Sequence, residues 1–301
     1  MNDFVFTSDF WSWWVIVLTV GNILGCWWLI RWTSKPQAGE AASGDVTGHT
    51  WDETLQEYNN PLPRWWLWMF YLTMVFGLAY LALYPGLGVY KGQLGWTEES
   101  QYEAEMKAAA EKYDPIFANF AKQDIANLAK DPEAVKVGQR LFLNYCATCH
   151  GSDARGTLGF PNLADDDWLY GGEPDTIKTT IMYGRSGAMP PWQAALGDKG
   201  VDEVAEYVLS LSGRSQDAAK AEAGKARFEM MCAACHGADA KGTKAMGAPN
   251  LTDNIWLYGG SPGKVRESIS KGRNGRMPAH ADFLGENKVH LLAAYVYSLS
   301  H

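Results

Sequence analysis

A five-residue word written twice sets the tightest limit on this chain: Cys146-Ala-Thr-Cys149-His150 and Cys232-Ala-Ala-Cys235-His236. Two cysteines two residues apart, with a histidine directly after, form the attachment motif of c-type haem. The spacing brings both sulfurs to one edge of a porphyrin, where they add to its vinyl groups. The histidine is then placed under the iron as proximal ligand. Rival chemistries are a structural disulfide, a redox dithiol and half of a zinc site. A zinc site requires two further ligands near each pair, and a redox dithiol does not require a following histidine twice. The chain is therefore expected to carry two covalently bound haem c groups.

The words sit inside a longer repeat. Cys146 matches Cys232 at an offset of 86 residues. Pro161-Asn162-Leu163, Trp168-Leu169-Tyr170-Gly171-Gly172, Met189-Pro190 and Tyr207-Val208 all recur 88 residues later. The two-residue change falls between the cysteine motif and Pro-Asn-Leu, so it is a loop insertion. Two long copies mean tandem domain duplication rather than a solenoid. Each copy reads as an amphipathic helix, the cysteine motif, a Gly-rich loop, a middle helix, a Met-Pro loop and a last helix. Gly138 and Gly224 in the first helices permit a close helix approach. Phe142, Tyr207, Phe228 and Tyr295 fill the crossings.

A soft thioether suits reduced iron, and His/Met ligation raises its potential. Met189 and Met277 lie 39 and 41 residues after His150 and His236. Of the methionines weighed they alone hold the repeated position, so they are the expected second axial ligands. His280 is the runner-up beside Met277. His290 and His49 read as spare. The Pro161 and Pro249 carbonyls are placed to accept the proximal imidazole Nδ1–H. Arg185 and Arg273 are candidates for pairing with haem propionates, with an ordinary surface role as the alternative. Trp168 and Trp256 read as pocket walls. Two closed irons leave no open position for oxygen or peroxide, so no catalytic residue is expected.

Two uncharged apolar runs, Phe10–Ile30 and Trp65–Tyr84, are each about 30 Å long as helix and flanked by aromatic residues. They are expected to span a membrane, the first retained rather than cleaved. Cys26, inside the first run, reads as a small buried hydrophobe. Residues 1–9 contain no Lys or Arg, while the segment between the runs holds Arg31, Lys35 and Arg64. Positive flanks stay in the cytoplasm. The N-terminus and everything after Pro85 are then periplasmic, the side on which c-type haem is attached.

The expected fold class is all-α: two transmembrane helices, then two tandem class I cytochrome c domains. The segments are 1–31 (tail and first span), 32–64 (cytoplasmic linker), 65–85 (second span), 86–132 (helical stalk broken at Asp114-Pro115), 133–213 and 214–301 (cytochrome domains). Residues 33–50 read as flexible. The net charge of −8 argues against a nucleic-acid partner. The first cytochrome segment, counted from 135, has 6 Lys/Arg against 10 Asp/Glu, and the second has 12 against 8. Such a split can steer a charged donor.

The membrane-proximal words narrow the family. Trp51-Asp52-Glu53, the run Glu57-Tyr58-Asn59-Asn60-Pro61-Leu62-Pro63-Arg64-Trp65-Trp66, and Tyr84-Pro85-Gly86-Leu87-Gly88 resemble the dihaem subunit III of cbb3-type cytochrome c oxidases. The resemblance covers essentially the whole chain, although many members have a single span. It implies an electron-transfer subunit of an inner-membrane, proton-pumping terminal oxidase. Electrons would come from a soluble cytochrome c and leave through a monohaem subunit toward the catalytic subunit. A free membrane-anchored dihaem shuttle and a dihaem peroxidase are the alternatives.

Overall fold

The computed structural model describes residues 6–301. Residues 1–5 of the expected periplasmic tail lie outside the described part. The chain divides into two compact units, Met1–Ala110 and Glu111–His301.

In the first unit, α1 (Asp9–Thr33) and α2 (Arg64–Leu83) are both long and apolar enough to cross a membrane. No residue of α2 is buried, and its Trp65, Trp68, Leu72 and Phe76 are exposed. A helix apolar all round needs lipid as its solvent. Cys26 is also exposed, which corrects the reading of a buried cysteine. A spanning helix without a bundle around it turns such side chains toward lipid. Ser12 and Ile30 are the buried residues of α1, and the Ser12 Oγ accepts the Val89 N–H at 3.2 Å. Gly88, at φ +58°, lets the chain pass directly over Ser12.

Between the spans, β1 (Val46–Trp51) pairs antiparallel with β2 (Leu55–Tyr58). The flexible stretch read over 33–50 is thus partly ordered. β-Branched Val46, Thr47 and Thr50 favour strand. Asp52 and Glu53 turn the hairpin with φ of 49° and 67°, a conformation usually assigned to Gly or Asn.

α3 (Glu98–Phe120) runs on through Pro115, so the expected break at Asp114-Pro115 does not occur. Proline costs one N–H bond, and on this exposed helix water can take up the freed carbonyl. Phe117 and Phe120 pack into the second unit's core.

The second unit continues through α4 (Ile125–Leu128), α5 (Pro132–Tyr145), α6 (Ala147–His150), α7 (Pro174–Tyr183), β3 (Arg185–Met189) and α8 (Gln193–Leu211). The second copy follows as α9 (Ala218–Met231), α10 (Ala233–His236), α11 (Pro262–Lys271), β4 (Arg273–Met277), α12 (Ala281–Leu284) and α13 (Glu286–Tyr297). Caps fix the starts: Asp131, Asp217 and Ser261 each accept a backbone N–H from the first turn. Gly197 (φ 63°) breaks α8 where Gly285 (φ 74°) separates α12 from α13.

The two cores do not follow the two sequence copies. The first joins Phe142, Ile177 and Ile181 to Leu284, Val289, Leu292 and Tyr295. The second joins Leu196, Val204 and Leu209 to Phe228, Val265 and Ile269. Each copy therefore lends its last helix to the other. The aromatic crossings expected within a copy form between copies: Phe142 meets Tyr295 at 5.4 Å, and Phe228 meets Tyr207 at 5.2 Å. The segments 133–213 and 214–301 are repeats of sequence, while the packed lobes exchange α8 and α13. The crossover is β3 against β4, in register from Arg185–Met277 to Met189–Arg273. Gly184 and Gly272, both at φ 72°, have no room for a Cβ beside the backbones of Met277 and Met189.

Candidate haem sites

Cys146 caps α5 and opens the single turn of α6, which ends on His150; Cys232 and His236 are placed alike around α10. The Cys149 and His150 N–H groups both donate to the Cys146 carbonyl, at 3.1 and 3.0 Å. That tight turn keeps the two thiols and the imidazole on one short stretch. Burial, then the neighbouring cysteine, pushes the Cys146 and Cys232 thiols up to about 11. They stay neutral until a reaction consumes them.

His150 and His236 are buried. Their Nδ1 atoms lie 3.0 Å from the Pro161 carbonyl and 3.1 Å from the Pro249 carbonyl. A carbonyl only accepts, so Nδ1 carries the proton and the Nε2 lone pair is free for a metal. Burial pushes both imidazoles below their ordinary value, against the upward pull of the carbonyl bond. For His150, His280 adds a further downward push. Both are thus held neutral, as ligation requires.

The exchange decides which methionine shares a lobe with which histidine. Met277 packs on the core containing Phe142 and Ala154, around His150. Met189 packs on the core containing Phe228 and Ala240, around His236. The packing thus puts Met277 in the lobe that carries the turn from Cys146 to His150, and Met189 in the lobe that carries the turn from Cys232 to His236.

The lobes also hold polar atoms awaiting a partner. Trp168 Nε1 and Trp256 Nε1 are buried without a hydrogen bond, at matched positions. Both indoles pack against the cores that hold the histidines. An indole N–H is a donor that is costly to leave unmade. A pair of thiols and a neutral imidazole on one short turn, with a thioether and an orphaned donor packed on the same apolar core, fit an iron porphyrin with acidic side arms.

Arg185 Nε donates to Thr180 Oγ1 at 3.0 Å, and its guanidinium lies 4.8 Å from the Tyr170 ring. Arg273 repeats this on Ser268 Oγ at 2.9 Å and on Tyr258 at 4.8 Å. Its Nη2 is buried and unpartnered. The tyrosine platforms, not anticipated from sequence, belong to the repeated Trp-Leu-Tyr-Gly-Gly words, which were the available signal. His280 occupies the position of Trp192; their N–H groups donate to the Ile181 and Ile269 carbonyls at 3.1 and 3.0 Å. His280 Nδ1 is buried without a partner, and the ring lies 5.4 Å from Phe283. His290 Nε2 donates to the Gln123 carbonyl at 2.8 Å, a structural tie.

Residues 133–208 and 219–296 match the family model for cytochrome c oxidase, cbb3-type, subunit III, and residues 43–91 match the N-terminal domain of cytochrome oxidase-cbb3, FixP. The Rubrivivax gelatinosus cbb3-type cytochrome c oxidase subunit CcoP is 50% identical over 301 residues, covering 100% of this chain and 97% of that protein. The chain belongs to the CcoP/FixP family. The Cereibacter sphaeroides CcoP is 39% identical over 88% of this chain and 98% of its own length. The Sinorhizobium medicae FixP is 40% identical over 86% and 96%. Membership in the CcoP/FixP family makes the cofactors two covalently attached haem c groups, one for each matched cytochrome segment.

Proposed function

We propose that this CcoP/FixP-family chain is the electron-transfer subunit of a cbb3-type cytochrome c oxidase. It takes electrons from a soluble cytochrome c and passes them through two haems toward the oxygen-reducing subunit. The observation that carries this is the matched pair of sites. Each has a buried neutral imidazole beside a pair of thiols, and one of those cysteines packs on the same apolar core as a methionine from the other copy.

When bound, each haem supplies an iron that gains and loses one electron. The chain's residues set the terms. Cys146 and Cys149, and Cys232 and Cys235, fix the groups covalently. The Pro161 and Pro249 carbonyls orient the imidazoles of His150 and His236. The thioethers of Met277 and Met189 would hold the irons as soft ligands and favour the reduced state. Trp168, Trp256, Arg185 and Arg273 offer N–H donors to the acidic side arms. The β3–β4 ribbon links the two methionine loops and holds the lobes at a fixed spacing for electron exchange.

The membrane spans anchor this unit in lipid. Arg31, Lys35 and Arg64 support a reading with the 32–64 linker in the cytoplasm and the N-terminus and both haem domains in the periplasm of a bacterial inner membrane. The further partners are the monohaem and catalytic subunits. Co-purification with subunit identification and haem analysis tests this. The expected complex contains haem b, copper and three haem c per copy of this chain, two on this chain and one on the monohaem subunit. A chain that purifies alone in native membranes overturns it.

A further inference from the structure

Resting on the electron-transfer reading above, we propose that the lobe containing His150 carries the docking surface for a lysine-rich soluble c-type cytochrome, centred on Tyr145, Asp282 and Phe283. The duplication supplies an internal control, because each position has a counterpart on the other lobe. Tyr183, Phe283, Tyr145 and Leu143 are 72%, 58%, 47% and 46% exposed. Their counterparts are Lys271, Ala195, Met231 and Glu229. Exposed Asp282 corresponds to Ala194. The other lobe's exposed Met230 stands where this one has Asn144. The shared fold therefore does not demand these apolar side chains, and one lobe alone has gathered them.

They also meet. The Tyr145 and Phe283 rings are 5.7 Å apart, and Phe283 lies 5.4 Å from the His280 ring. The His280 N–H is bonded to Ile181, two residues before Tyr183. Tyr145 directly precedes Cys146, and Phe283 follows Met277 by six residues. The patch thus bridges the attachment side and the methionine side of one site, where an approaching redox partner needs contact. Exposed aromatic clusters of this kind mark interfaces.

Charge selects the occupant. The exchanged lobe, residues 111–184 with 277–301, has 8 Lys/Arg against 13 Asp/Glu. Residues 185–276 have 13 against 10. An apolar patch on the acidic lobe suits a cationic partner that is steered in and then seated.

The test uses the purified oxidase complex, with a lysine-rich soluble cytochrome c as probe and stopped-flow and equilibrium binding as readouts. Asp282→Lys is expected to slow association about fivefold at low salt and to flatten its salt dependence. Phe283→Ala is expected to weaken binding about fivefold or more, while Met230→Ala leaves it unchanged. Haem content and oxygen consumption with a small-molecule reductant should stay at parent levels. Unchanged binding in the first two variants, or a larger effect from Met230→Ala, overturns the proposal. Loss of the other subunits from the Phe283→Ala preparation also overturns it, by assigning the patch to the oxidase interface. Failure of the underlying reading is distinct: the unsubstituted chain would then lack its haems or its oxidase partners.

Discussion

Substituting Gly224 by alanine should damage one haem site and spare the other. Gly224 lies in α9 of the second copy, and a Cβ there falls on the Glu203 carbonyl oxygen of α8 from the first copy. It would also lie 2.5 Å from that carbonyl's carbon and 3.0 Å from Tyr207 Cβ. Carbon contacts settle at about 3.5–4.0 Å, so the helices must part by about 1 Å, which forfeits a quarter to a half of the dispersion energy across the seam. Overpacking of this sort costs about 1–3 kcal/mol, and alanine returns about 1 kcal/mol of helix propensity. With backbone as the obstacle the upper end applies, for a net loss of about 2 kcal/mol. The matched Gly138→Ala meets Tyr295 Cβ at 2.7 Å and the Leu291 oxygen at 3.0 Å. Its net loss should be nearer 1 kcal/mol. Guanidinium unfolding of the haem-loaded chain in detergent, followed by haem absorption, measures both. α8 begins four residues after Met189, so Gly224→Ala should weaken the methionine–iron absorption of the His236 haem and leave the His150 haem intact. Parent-like stability for Gly224→Ala, or damage confined to the His150 haem, would refute the exchanged packing.

Three further outcomes are expected. Trp168→Phe removes an orphaned donor and should lower the midpoint potential of the His150 haem by ~40 mV, for a bond of about 1 kcal/mol; Trp256→Phe should do the same for the other haem in a redox titration. Burial pushes the Glu206 carboxyl up, but bonds from Gln216 N–H, Ser215 Oγ and Asp217 N–H, with Arg266 nearby, outweigh it and hold the group below the usual range. Its stabilisation is complete above the ordinary carboxylate value and lost as pH falls through the lowered one. Glu206→Gln should therefore cost about 1–3 kcal/mol at pH 7 and converge with the parent in acid, as read by denaturation at several pH values. Ser12→Ala removes the acceptor of the Val89 N–H and should cost about 1 kcal/mol in thermal denaturation of the chain in detergent.

The attachment cysteines and their histidines were legible because covalent chemistry leaves a fixed local word. The spans were legible because lipid demands about 20 apolar residues in a row. The exchange of α8 and α13 was not, because the two copies carry the same packing residues. Gly138 and Gly224 face Tyr295 and Tyr207 across copies, but identical residues would serve within a copy. Only the short β3–β4 crossover distinguishes the cases, and its Gly-Arg and Met-Pro words are the same in both strands. The 46–58 hairpin escaped notice because its turn uses Asp52 and Glu53 rather than glycine. Pro115 was read as a breaker, yet exposed α3 tolerates it.

Carbon monoxide binding to single-haem chains tests the central claim most directly. With Cys232 and Cys235 replaced by alanine, one haem remains, on His150. The account predicts that Met277→Ala then opens that iron to rapid carbon monoxide binding, while Met189→Ala leaves it closed. Opening by Met189→Ala with Met277→Ala silent would contradict the exchanged His/Met sites. Rapid binding before either substitution would contradict a pair of closed electron-transfer haems altogether.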